Sequence, residues 1–307
     1  MMLILTLLPI FSVIVIGWLV VRTGYLDSSA VAPAAQVVLR IALPAVIFLA
    51  LASAPRGEAF DLLFLLVYCV ASLLALSGVY ALARLVLGMS KSEATVIALG
   101  ASMANSAFMG FPIGQAILGQ AHAVRVFAHV LIVENLIMLP IALLLLTAAG
   151  NTTLSRVGVL REVLRNPLVI ALVSGGAISA LGVTLPEPAT AILELLGRLS
   201  APLALLVIGG MLATLPASGQ LRAVMLIVGG KLVIHPFLVG VGVVLVPGVT
   251  PAMAVGGVLF AAMPMITIFP LLSARVGQGQ LAAFGLLSAT VLSFLSLPVI
   301  IHYLGLT

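Results

Sequence analysis

Apolar runs of about 20 residues, the length at which a helix crosses the roughly 30 Å hydrocarbon layer of a bilayer, alternate along this chain with short polar punctuation. Ten runs can be counted, centred near Val13, Val46, Ser72, Met103, Leu136, Ala171, Leu205, Val233, Leu259 and Ser293. The fourth and ninth are interrupted by glycine and proline, at Gly110-Phe111-Pro112 and between Pro264 and Pro270. Proline removes a backbone N–H and collides with the preceding turn, so these two runs predict broken spans. The longest polar stretch, Gly150 to Arg165, holds Asn151, Thr152, Thr153, Arg156, Arg161 and Arg165 and reads as a linker near the middle of the chain. The run behind Met1 has no basic segment before it and no small-residue cleavage pattern before Gly17, so it reads as a first span and not as a removed leader.

The two halves on either side of the linker repeat with a constant offset of 158 residues. Pro9, Pro44, Pro112 and Pro140 fall on Pro167, Pro202, Pro270 and Pro298. Gly17, Gly24, Arg40, Gly119 and Gln120 fall on Gly175, Gly182, Arg198, Gly277 and Gln278. Chance would align roughly half a proline pair, so shared apolar composition does not account for the match. Each half holds five spans, and an odd number forces the second half into the membrane the other way round. The expected architecture is an all-α integral membrane protein of ten transmembrane helices, built as two inverted five-helix repeats with broken crossover helices in spans 4 and 9. The first repeat covers 1–149, a cytoplasmic linker 150–162 and the second repeat 163–307.

Composition agrees with the pattern. The chain is 63% hydrophobic and 7% charged, with a mean hydropathy of +1.38, where a soluble protein carries about 25% charged residues. The net charge of +5 does not indicate nucleic acid, because the basic residues stand singly between apolar runs and are not clustered with aromatics. They indicate orientation instead. Arg22, Arg84, Lys91, Arg156, Arg161, Arg165, Arg222 and Arg275 flank the odd-numbered connections, against Arg56 and Arg125 on the other side. The positive-inside rule then places both termini outside the cytoplasm of a cell inner membrane. Arg40, Arg198 and Lys231 fall within spans or near their edges and do not enter the count. The single Cys69 excludes an intramolecular disulfide and reads as core packing.

The candidate chemistry lies at the breaks. A broken span leaves backbone N–H and C=O groups unpaired at mid-membrane, at a cost of several kcal/mol each unless something satisfies them. Half-helix N-termini can face an anion, while free carbonyls can hold a cation. Asn105 precedes the first break, where its amide can meet a carboxylate or cap the backbone. Glu134 and Asn135 lie deep in the fifth span, and Lys231 and His235 one turn apart in the eighth. Ionisable groups at that depth are functional candidates for coupling, charge pairing or substrate contact. Ser102, Ser106, Thr267 and Ser273 flank the breaks and suit helix mending. Met103, Met109, Met263 and Met265 suit adaptable packing. His122, His129 and His302 lack a second ligand at metal spacing, so no metal is assigned. No cofactor is called for, and without a G-x-x-x-x-G-K-[ST] sequence ATP is not the expected energy source. A secondary carrier leads, with a monovalent-cation/proton antiporter of related crossover fold as the alternative. A membrane enzyme is weakest, since no H-E-x-x-H and no pair of intramembrane aspartates is present.

The fourth span, Asn105-Ser106-Ala107-Phe108-Met109-Gly110-Phe111-Pro112, resembles the N-x-x-x-M-G-x-P crossover motif of the auxin efflux carrier family, the plant carriers and their bacterial relatives. Lys231-Leu232-Val233-Ile234-His235-Pro236 resembles a segment common in the bacterial members. The linker is shorter than in long plant members, and Pro264 and Pro270 stand further apart than their plant counterparts. The resemblance implies a scaffold of spans 1, 2, 6 and 7 that forms a homodimer, and a transport domain of spans 3–5 and 8–10 that moves against it like an elevator. It also implies a small organic anion as substrate, auxin-like or a dicarboxylate such as malonate, with proton or sodium coupling open. Asn105, Ser106, Gly110, Pro112, Pro264, Thr267 and Pro270 would form the substrate site, and Glu134, Asn135, Lys231 and His235 the coupling or charge-pair set.

Overall fold

The computed structural model describes residues 2–54, 60–150, 156–215 and 220–306. Arg56 and the linker residues Asn151, Thr152 and Thr153 lie outside the described residues. Within them every regular element is helical, and the one extended pairing is an isolated antiparallel bridge between Ala104 and Met265. The first half runs α1 (Met2–Arg22), α2 (Ser28–Ala52), α3 (Leu62–Val86), α4 (Lys91–Ser102), α5 (Ser106–Leu118) and α6 (Gln120–Ala149). In the linker stands α7 (Arg156–Leu164). The second half runs α8 (Pro167–Leu181), α9 (Glu187–Thr214), α10 (Leu221–Leu245), α11 (Pro251–Ala261), α12 (Phe269–Ala274) and α13 (Gly279–Tyr303).

Six helices, α2, α3, α6, α9, α10 and α13, are long and apolar enough to cross a membrane by length and composition, and α5, α8 and α11 are shorter apolar helices. Their outer faces carry Leu66, Leu74, Val173, Leu195, Phe237, Val244 and Leu295, all exposed. So much bare apolar surface is stable against lipid and not against water. The chain is a multi-pass membrane protein on this ground.

Each helix stops or bends for a readable reason. Asp61 accepts from the Phe64 N–H at the start of α3, and Ser90 with Glu93 closes a reciprocal capping box at the start of α4. Asn166 caps α8 just ahead of Pro167. Gly24 and Gly182, which the sequence offset aligns, both have positive φ, 75° and 66°, beyond the ends of α1 and α8; side chains other than glycine's resist that conformation.

Proline shapes the helices without ending them. Among the described residues, π-helical turns span Val38–Ala42, Leu82–Val86, Ser106–Gly110, Val133–Met138 and Gly230–Ile234. All but the second end two residues before a proline: Pro44, Pro112, Pro140 and Pro236. A widened turn accommodates the ring that would strike a carbonyl one turn back. These turns carry Arg40, Ser106, Glu134 with Asn135, and Lys231.

One expectation shifts. The first break lies at residues 103–105, not at Gly110-Phe111-Pro112. Pro112 follows the wide turn Ser106–Gly110 at the start of a regular segment, where its missing N–H costs little, so the chain there stays helical. The second break, residues 262–268, contains Pro264 and ends just before Pro270, close to the stretch that the two prolines mark. The latter part of the linker forms the short helix α7.

Glycines set the closest helix contacts. Gly17 of α1 lies against the backbone of Leu206 in α9, and Gly175 of α8 against the backbone of Phe48 in α2, where a Cβ would sit 2.8 Å from the Phe48 oxygen. The offset that aligns Gly17 with Gly175 also aligns Phe48 with Leu206. The two contacts are therefore the same contact with the halves exchanged.

Candidate functional site

The two breaks meet. Asn105 donates its backbone N–H to the carbonyl of Pro264 at 2.7 Å, and Ala104 bridges Met265. These groups are the backbone atoms that breaking a helix sets free, and each break satisfies part of the other. Met103, Met263 and Met265 are buried around the crossing. The ring of Phe260 lies on the face that Gly110 and Gly114 leave open, so Gly110 serves close packing.

Asn105 is the hub. Its Oδ1 accepts the Phe108 N–H at 3.3 Å, capping the first turn of α5, and the Thr267 hydroxyl at 3.2 Å. Its Nδ2 is buried with no hydrogen-bond partner among the described residues. Glu134, 5% exposed, reaches the same place from the wide turn of α6. One carboxylate oxygen accepts the Ala104 N–H at 3.0 Å and the Ser106 hydroxyl at 2.9 Å. Glu134 thus sits where the partial positive charge of the α5 N-terminus favours an anion. Asn135 beside it donates to the Leu131 carbonyl at 3.0 Å and accepts from the Asn166 amide at 2.8 Å, which ties α6 to the cap of α8.

These groups line a cavity of about 280 Å³ that also includes Arg40, Ile266, Ile268 and Pro167. Of the residues expected at the site, Asn105, Ser106, Thr267, Glu134 and Asn135 are on its wall. Gly110, Pro112, Pro264 and Pro270 are not. Pro264 contributes through its carbonyl behind the wall, and Pro270 begins α12.

Lys231 and His235 form a separate buried cluster. The Lys231 ammonium donates to the Ala261 carbonyl at 2.6 Å, at the C-terminal end of α11, and lies 2.7 Å from His235 Nδ1. His235 Nε2 meets the Ser72 hydroxyl at 3.0 Å, and the Tyr68 ring packs edge-on at 5.7 Å. An ammonium at a helix C-terminus complements its partial negative charge. Each break therefore has an ionisable side chain of the matching sign: Glu134 at freed N–H groups, Lys231 at a freed carbonyl. Of the four hydroxyls expected to mend the breaks, Ser102 bonds back to Ala98 within α4, while Ser106 and Thr267 bond Glu134 and Asn105. Ser273 Oγ has no partner among the described residues.

Sequence reading missed Arg40, Asn166 and the Ala104 N–H. Arg40 had a signal: it stands in a span, four residues before a proline that the repeat matches. Asn166 had one too, since Asn before Pro at the head of an apolar run is a cap.

Apolar helices around a polar crossing with a buried cavity define a membrane transport protein. The sequence profile of the family described as "Membrane transport protein" matches residues 2–301, and the chain belongs to that family, the auxin efflux carriers. It is also similar to a protein of Rhizobium meliloti (strain 1021) described as "Putative malonate transporter", with 26% identity over 289 residues, covering 93% of this chain and 89% of the relative.

Proposed function

We propose that this transporter is a secondary carrier of small organic anions and that the crossing of α4/α5 with α11/α12 is its substrate site. The observation that carries the reading is Asn105 Nδ2, a buried donor without an acceptor among the described residues, on the wall of a cavity that Arg40 also lines. Leaving such a donor unpaired costs about 1 to 3 kcal/mol. A carboxylate removes the cost and answers the arginine charge with the same group.

The antiporter alternative has one point in its favour, the Glu134 carboxylate at the crossing. A cation, however, needs acceptors free to converge on it. Asn105 Oδ1 already accepts two bonds, and so does the inner oxygen of Glu134. Among the described residues, the one fully buried side-chain polar atom on the cavity wall without a partner is a donor, Asn105 Nδ2. Its volume, about 280 Å³, is at the lower end of small-molecule sites, which run about 300 to 1,000 Å³. A compact acid such as the malonate named for the Rhizobium relative fits that size better than a fused-ring acid.

In this reading the chain crosses the membrane ten times, with α4/α5 and α11/α12 each counted as one broken span and the halves inverted. The exchanged contacts Gly17–Leu206 and Gly175–Phe48 support it, because they tie α1 to α9 and α2 to α8, the four helices assigned to the scaffold. The remaining helices carry the crossing and move against that scaffold. The charge bias puts the Asn135–Asn166 side of the cavity, next to the linker, toward the cytoplasm. Glu134, in contact with the crossing, is the group for proton coupling.

The test is uptake of labelled malonate and a panel of small acids into proteoliposomes, with and without pH and sodium gradients. Gradient-driven accumulation is expected. Sodium–proton exchange without movement of any anion would establish the alternative.

A further inference from the structure

A second and larger cavity, about 650 Å³, is not used by the crossing. It is lined by Val46 to Ser53 on α2, by Gln115 and Gln120 at the junction of α5 and α6, and by Glu194, Gly197 and Arg198 on α9. Gln115 donates to Gln120 across its wall.

The two cavities share one pair of positions. Leu39 and Arg40 line the smaller, Gly197 and Arg198 the larger, and the offset of 158 residues carries the first pair onto the second. The backbone repeats as well. Arg40 stands in the wide turn Val38–Ala42 ahead of Pro44; Arg198 stands in the turn between Gly197 and Ser200 ahead of Pro202, the proline that matches Pro44. On α2 the cavities are centred about ten residues apart, about 15 Å along the helix axis. On α6 the larger is lined near the N-terminus and the smaller from Leu131 onward. The cavities therefore lie at different depths, displaced toward opposite ends of the helices.

Arginine carries a planar charged fork that matches a carboxylate with two parallel bonds, and Arg40 and Arg198, both with exposed side-chain surface, each stand on a cavity wall between apolar helices. Glu194, one turn before Arg198, faces the larger cavity and offsets part of that charge. The two amides of Gln115 and Gln120 complete a rim that suits a carboxylate.

We infer that Arg198, with Gln115 and Gln120, forms a second carboxylate-binding station on the non-cytoplasmic side, the counterpart of the Arg40 station beside the crossing. The inference rests on the carrier reading above. The anion is handed between two scaffold arginines as the crossing shifts from one cavity to the other. Each arginine sets affinity on its own side of the membrane.

The experiment measures half-saturation for labelled malonate from each face separately, in proteoliposomes of defined orientation, for wild type, Arg198→Gln and Arg40→Gln. The expected result is a rise of about 10-fold or more on the non-cytoplasmic face for R198Q with the cytoplasmic value unchanged, and the reverse for R40Q. Should R198Q fail to insert, Arg198→Lys keeps the charge without the planar fork and reads the same one-sided rise at smaller size. Equal changes on both faces, or none, overturn the assignment of Arg198 and leave the carrier reading standing. Wild type that moves no carboxylate overturns both.

Discussion

The Thr267 hydroxyl donates to Asn105 Oδ1 at 3.2 Å, so one residue from each break meets at a single oxygen. That oxygen also caps α5, while the amide nitrogen beside it has no partner among the described residues. The two ends of one side chain thus separate architecture from ligand contact. Asn105→Asp keeps the acceptor and removes the donor; Asn105→Ala removes both. N105D should lose anion affinity by 10-fold or more, through the lost donor and the added negative charge together, and keep more of the wild-type thermal stability in detergent than N105A, which also loses the cap of α5. The change corresponds to about 1 to 3 kcal/mol for a lost polar contact. Calorimetric titration with malonate reads the affinity, and unchanged binding by N105D returns Asn105 to a purely structural role.

Glu134→Gln should fold, because its side-chain carbonyl can accept from Ala104 N–H and Ser106 as the carboxylate does. The charges within reach of Glu134 are Arg40 across the cavity and Lys231 from α10. An ionised Glu134 opposes an incoming anion, and a protonated one does not. E134Q is therefore fixed in the state that acid favours: anion binding is retained, and the rise of uptake toward acidic pH flattens. A wild-type pH profile in E134Q removes Glu134 from coupling.

Lys231→Met should act on stability more than on affinity, since Lys231 is bonded to Ala261 and His235 and is not on the cavity wall. The variant leaves a buried carbonyl unpaired at the end of α11, a loss of about 1 to 3 kcal/mol. A lowered melting temperature with near-normal affinity in the folded fraction is the expected result. Lost affinity at unchanged stability would put Lys231 in contact with the substrate.

Gly209→Ala places a methyl group against the backbone of Ile14 and Trp18 in α1, where neither can yield as a side chain would. Overpacking of this kind costs about 1 to 3 kcal/mol. Gly78→Ala meets nothing within 4 Å and serves as the control. Melting curves should separate the two, with G209A lower and G78A unchanged or slightly higher.

Orientation is tested by tags. An epitope at either terminus should be accessible on intact spheroplasts, and one beside Arg156 should be protected, as the eight-to-two distribution of Lys and Arg requires. Termini on opposite sides would contradict the inverted arrangement, and both in the cytoplasm would contradict the orientation.

The matched prolines and glycines of the two halves were the most legible feature, because such residues answer to backbone geometry where apolar residues interchange. Gly24, Gly119 and their mates Gly182 and Gly277 all turn out to hold positive φ. Asn105 and Glu134 were legible because polar groups at mid-span are expensive. The position of the first break was not. Pro112 advertised it, but a wide turn absorbs a proline, whereas the cap at Asn105 is where the helix begins anew. The place of Arg40 on the cavity wall was hidden for a related reason: sequence gives a position along a helix but not which cavity a residue borders.

The bond between Asn105 and Pro264 also has a consequence in time. The ribosome adds about 5 to 20 residues per second, and Pro264 lies about 160 residues after Asn105. The first half therefore waits about 8 to 30 s after Asn105 is made before the carbonyl that receives its N–H exists. During that interval the opened end of α4 and the start of α5 must be sheltered by what has already been made, by Glu134 above all, since its carboxylate takes the neighbouring Ala104 N–H. A chain that stalls before residue 264 leaves the Asn105 N–H without that acceptor and should be a substrate for membrane quality control.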